Sequence, residues 1–145
     1  MGKGEWENRM SENEEKKEYL RSYQKAVRRE QEILDEIKQL RMDKMFPSVV
    51  NDGMPKGSKQ SDLSEYVVRL DNLIEKLKEE RFEKIKLMDD ILYHISLLKD
   101  KDEQRVLKLR YINGLKWKEI EEALGYTHRS VHRLHNKSLQ HLVIA

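Results

Sequence analysis

Apolar residues along this chain recur in steps of three and four, the spacing of an amphipathic helix. The first stripe reads Tyr19/Leu20, Tyr23, Ala26/Val27, Ile33/Leu34, Ile37 and Leu40, with charged and amide side chains filling the other positions. A second stripe follows Asp62, a side chain suited to an N-cap with Glu65 three residues on. It reads Leu63, Tyr66/Val67, Leu70, Leu73/Ile74, Leu77, Met88, Ile91/Leu92, Ile95 and Leu98. Seven-residue steps link Leu63, Leu70, Leu77, Ile91 and Leu98, with Lys84 as the polar member, a heptad-like pattern interrupted over residues 79–84. Each stripe predicts a helix on the order of 40–55 Å long at ~1.5 Å per residue. Neither stripe is satisfied alone in water, so an antiparallel hairpin is expected, with apolar surface left over for a second subunit. Residues 1–18 show no periodicity and are expected to be flexible.

Gly and Pro divide the rest of the chain. Pro47, Gly53, Pro55 and Gly57 fall in the connector 46–61, which is longer than most helix–helix loops and carries Phe46, Val49, Val50 and Met54. Those apolar groups predict an ordered loop packing on the hairpin end. Beyond residue 101, a helix over 103–113 should end at Gly114, and a shorter helix with Ile120 and Leu124 should end at Gly125. A last helix, N-capped by Thr127, carries Val131 and Leu134. The predicted fold is all-α: a helical hairpin stem over 19–100, then a three-helix helix-turn-helix unit over 101–145.

Composition narrows the function. The 145 residues are 39% charged and 37% hydrophobic, so a thick core is not expected. No cysteine is present, which removes disulfides, thiolate nucleophiles and Cys-based metal sites. The longest apolar run has four residues, far from the ~20 of a membrane span, and the first residues lack the apolar core of a secretory signal. A cytoplasmic protein without a membrane partner is the expectation. The net charge of +2 hides an asymmetry: residues 62–103 carry eight basic and twelve acidic side chains, residues 104–145 eight basic and three acidic. A basic terminal unit on an acidic stem is the charge distribution of a small nucleic-acid reader.

The last predicted helix divides cleanly by helical position. One face carries Val131, Leu134, Ser138 and Leu142; the other carries His128, Arg129, His132, Arg133 and Asn136, and no carboxylate follows Glu122. A helix that enters the major groove needs this division, with Arg reaching guanine and Asn or His reaching base edges. Those five residues are the expected base readers; Lys116, Lys118, Thr127 and Lys137 are the expected phosphate contacts. Trp117, between the two lysines, is expected in the core. His128, His132 and His135 could share a metal, but no Cys or carboxylate completes a shell, so no metal or cofactor is expected. The acid pairs Asp89/Asp90 and Asp100/Asp102/Glu103 lack a nucleophile or glycine loop beside them, and no catalytic motif is present, so no enzymatic activity is expected.

The stretch Arg110-Tyr-Ile-Asn-Gly-Leu-Lys-Trp-Lys-Glu-Ile-Glu-Glu-Ala-Leu-Gly-Tyr-Thr-His-Arg-Ser-Val-His-Arg-Leu-His-Asn-Lys-Ser-Leu-Gln-His-Leu resembles region 4 of the sigma-70 family, over roughly 103–142. The resemblance implies a helix-turn-helix that binds duplex DNA at promoters and contacts RNA polymerase, with base-facing positions at His128, Arg129, His132 and Arg133. Two positions depart from the family pattern: Lys116 stands where a Ser or Thr usually caps the first helix, and Glu121 where a small residue usually packs between the helices. The helical stem, the loop Gly53-Met54-Pro55-Lys56-Gly57 and the terminal module together are similar to ArpU-like phage and prophage regulators. Nothing resembles the promoter-melting region 2, so a complete sigma factor is not expected. The expected function is a dimeric, DNA-binding transcription regulator. Two rival readings are a module that engages RNA polymerase and a small terminase-like DNA-packaging protein.

Overall fold

A computed structural model describes residues 3–45 and 59–144, all helix, turn or connector, with no strand among them. Five α-helices follow in order: α1 (Lys3–Met45), α2 (Lys59–Ser96), α3 (Lys101–Leu107), α4 (Trp117–Leu124) and α5 (His128–His141). A π-helical turn, Lys108–Ile112, continues α3. No helix among the described residues is long and apolar enough to cross a membrane.

Contacts divide the chain into two compact units, Ala26–Glu83 and a second made of Met1–Lys25 with Lys84–Ala145. The boundary therefore cuts through both long helices, whereas the sequence pattern placed it near residue 101. In the unit over 26–83, α1 and α2 run antiparallel. Arg29 Nε lies 3.1 Å from Glu80, Arg81 Nε 3.3 Å from Glu30, and the Lys44 ammonium 5.7 Å from the Tyr66 ring centre. The core between these two helices is thin. Ala26 and Ile37 are buried, Leu70, Leu73, Ile74 and Leu77 are half-buried, and Leu63, Val67, Val68 and Phe82 are exposed. Two helices alone cannot surround the stripes, which is the physical reason for so much apolar exposure.

The other unit holds a contiguous core. Leu20 of α1, Ile91 and Ile95 at the end of α2 and Leu98 just beyond it pack with Val106, Leu107, Tyr111, Ile120, Val131, Leu139 and Leu142. At ~25 cal/mol per Å² of buried apolar surface, each of these side chains contributes on the order of 1.5–3 kcal/mol, more than any surface ion pair nearby.

Three sequence expectations are corrected here. Residues 5–18 are helical, because α1 begins at Lys3. Their lack of apolar periodicity accords with a mostly exposed helix, which Lys16 joins to α5 by a polar bond. Asp62 is not an N-cap, since α2 begins at Lys59; the carboxylate lies in the first turn, where it favours the helix dipole. Of the expected loop 46–61, residues 46–58 lie outside the described residues and Lys59, Gln60 and Ser61 are already helical.

Candidate nucleic-acid interface

Local chemistry fixes the small helices in place. Asp100 caps α3, its carboxylate accepting from the Asp102 amide at 2.8 Å and the Glu103 amide at 3.4 Å. Gly114 follows the Asn113 that caps the π-helical turn, and its φ of +69° is open to glycine at little cost. The Gln24 side-chain amide donates to the carbonyls of Tyr111 and Ile112 at 3.1 and 3.0 Å, so α1 satisfies groups the turn leaves unpaired. Lys116 precedes α4 without a side-chain cap. Gly125, at φ +70°, closes α4 with its N–H on the Glu121 carbonyl at 2.9 Å. Thr127 then caps α5, its hydroxyl accepting from the Ser130 amide at 3.2 Å. The result is two helices joined by a short glycine turn, with Ile120 and Val131 buried between them.

The exposed side of α5 carries Arg129, Arg133, Asn136, Lys137 and Gln140. Arg129, Arg133, Asn136 and Gln140 are spaced at four, three and four residues and so form one stripe. Arg133 and Lys137 also line a shallow depression of about 300 Å³ beside Tyr126, whose hydroxyl donates to Asp102 at 2.7 Å and ties the turn to α3. That bond raises the Tyr126 phenol above its ordinary value. Lys116 and Lys118 are exposed at the start of α4, and Thr127 is exposed at the start of α5, both positions open to a backbone phosphate.

The histidines separate into three environments, which the helical pattern alone did not distinguish. His128 is exposed, and its Nδ1 lies 2.8 Å from Glu121. Glu121, the side chain that departs from the family pattern, thus links α4 to the first turn of α5. His132 was expected to read bases; instead its ring stands 4.7 Å from Trp117 and 4.2 Å from His128, and its Nε2 is buried without a hydrogen-bond partner. Burial, with His128 beside it, lowers its pKa, so at neutral pH it is uncharged packing at the edge of the reading face. His135 is fully inside. It stacks on Tyr111, whose hydroxyl is 2.8 Å from Nε2, and meets the edge of Trp117 at 4.8 Å. Burial pushes the His135 imidazole down to about 4 and the Tyr111 phenol up to about 12.

Trp117 is core on one face and covered on the other: the Arg110 guanidinium lies 4.5 Å above its ring and donates to the Leu115 carbonyl at 3.0 Å. Residues that the sequence pattern did not single out complete the module. Glu103, 3% exposed, receives the His141 imidazole at 2.9 and 3.0 Å, tying α3 to the end of α5. Lys16 of α1 donates to the Leu139 carbonyl at 2.7 Å, at the negative pole of α5. Tyr19 bonds Asp90 and lies 2.9 Å from His94. Burial and the Asp90 carboxylate raise its phenol pKa. None of these has a periodic signature, since each is a polar group reaching over a long sequence separation.

The family model described as ECF sigma factor matches residues 55–137, more than half of the chain. The match spans all of α2 and the helix-turn-helix as far as Lys137 of α5, and so begins well before the 103–142 stretch that carries the sigma-70 region 4 resemblance. No curated protein and no solved structure matches the chain.

Proposed function

The chain belongs to the ECF sigma factor family, and on that premise we propose that it is a non-enzymatic, sequence-specific transcription regulator of phage or prophage type that reads the major groove with α5. One observation carries the reading. The exposed stripe Arg129, Arg133, Asn136 presents two guanidiniums and an amide, with no carboxylate on that helix, from a capped helix-turn-helix. Arg suits the paired acceptors of guanine and Asn those of adenine. Lys116, Lys118 and Lys137 flank the stripe and suit phosphates. The family relation supports RNA polymerase as a further partner, and the loop Gly53-Met54-Pro55-Lys56-Gly57 supports the phage-type comparison.

The test compares two alanine variants. Arg133→Ala should cost ~1–3 kcal/mol on the preferred site and flatten preference at one base pair. Lys118→Ala should weaken all duplexes alike and lower the salt slope by about one unit. Equal losses on specific and random DNA for both variants would refute the assignment of the reading face.

The half-exposed stripe over 26–83 favours a homodimer, because a second copy would cover Leu63, Val67 and the half-buried leucines. Leu70→Asp with Leu77→Asp should split the oligomer or lower its melting temperature, since an unpaired carboxylate at a buried site costs several kcal/mol. Unchanged solution mass and melting would rule the dimer out.

A further inference from the structure

The exposed stripe of α5 continues onto a second helix. Asn136 and Gln140, the last two members of the stripe, form one wall of a cleft of about 320 Å³. The other wall is α1, which contributes Arg9, Asn13 and Lys17 at four-residue spacing, hence from one face. These five side chains all carry hydrogen-bond donors. Glu14, the acid among the lining residues, lies 3.3 Å from Lys17 and 3.9 Å from Arg21, so its charge is compensated.

The C-terminal end of α5 would by itself repel an anion. Lys16 offsets that pole, its ammonium 2.7 Å from the Leu139 carbonyl and 3.5 Å from the Gln140 carbonyl. A recess rich in donors, beside a neutralised helix end and open to the face that carries Arg129 and Arg133, suits a group that only accepts hydrogen bonds and bears a negative charge. A phosphodiester is that group.

We propose that the cleft between α1 and α5 holds a phosphodiester of the DNA strand next to the bases that α5 reads, which makes α1 a second DNA-contacting element. The inference rests on α5 being the reading helix. Contacts of this kind fix register without reading sequence, so they should add affinity equally on every duplex.

The experiment uses the full chain and the double variant Arg9→Ala, Asn13→Ala, with Gln140→Ala as a second variant should the first lose helicity. Binding is measured on preferred and random duplexes across a salt series. Affinity should fall roughly tenfold on both duplexes, with the salt slope smaller by about 0.9 for the lost phosphate contact and base preference intact. Affinity and slope equal to wild type would overturn the proposal. Tighter binding would overturn it too, showing that α1 obstructs DNA. If the wild-type chain binds no duplex, the reading of α5 fails, and inorganic phosphate separates the two claims. Shifts of the Asn13, Asn136 and Gln140 side-chain amide resonances on adding phosphate, lost in Arg9→Ala, would keep an anion site and reject DNA as its source. Unmoved resonances would reject the site altogether.

Discussion

His135 is a built-in acid sensitivity of the folded module, and replacing it with glutamine measures how much. The side chain is 4% exposed, and burial pushes its pKa from an ordinary 6.5 down to about 4. Charges on Lys17, His132, Arg110 and Arg21 act in the same direction. The unfolded chain therefore takes up the proton first. Stability is intact above the unfolded value, falls as pH drops below 6.5, and levels off below about 4. The gap corresponds to about 3 kcal/mol in the acid limit, and to about 2 kcal/mol between pH 7 and pH 5. His135→Gln keeps a polar partner for the Tyr111 hydroxyl and cannot titrate. At pH 7 the variant should be less stable by about 1–2 kcal/mol through lost stacking and an altered hydrogen bond. By pH 5 that deficit should be cancelled or reversed. Urea denaturation of both proteins at pH 7, 6 and 5 reads the difference directly, and His132, shifted the same way, is present in both. Wild type and variant losing stability in parallel would refute the reasoning.

Two further perturbations test how α1 is joined to the terminal module. A β-carbon at Gly114 would lie 3.3 Å from the Gln24 amide in a backbone at φ +69°, whereas one at Gly125 meets nothing within 4 Å. Gly125→Ala should cost about 1 kcal/mol from backbone strain alone, and Gly114→Ala more; melting temperatures in the reverse order would contradict this. Lys16→Met should cost about 1 kcal/mol and speed amide hydrogen exchange in the last turn of α5, where unchanged exchange would count against the clamp.

What the sequence made legible follows from the reach of each signal. The stripes over 19–40 and 63–95 lie on α1 and α2, because periodic apolar residues must share a face wherever the chain is helical, and Leu98 falls just past the end of α2. Gly114, Gly125 and Thr127 occupy the turn and cap positions expected of them, since φ above zero and an orphan amide each select few residue types. The division of α5 into two faces placed Val131, Ser138 and Leu142 inside and Arg129 and Arg133 outside; Leu139, which falls on the polar side of the helical wheel, is buried all the same.

Other features could not be read this way. His132 lies at the border of the two faces, and only the position of Trp117 decides that its Nε2 is buried. The beginning of α1, before Tyr19, carries no stripe, and the bond from Lys16 to the Leu139 carbonyl of α5 reaches over 123 residues of chain, a pairing that no local pattern announces. The pairing of Glu121 with His128 joins two side chains in different helices, and neither residue alone predicts it.

The central claim is that Arg129 and Arg133 on α5 read base sequence in duplex DNA. Selection from a random duplex library by the purified full chain, repeated with Arg129→Ala combined with Arg133→Ala, tests it most directly. Wild type should enrich one motif over several rounds. The double variant should still bind duplex, through Lys116, Lys118 and Lys137, but enrich no motif or a degenerate one. The same motif enriched by both proteins, or none by either, would contradict the account.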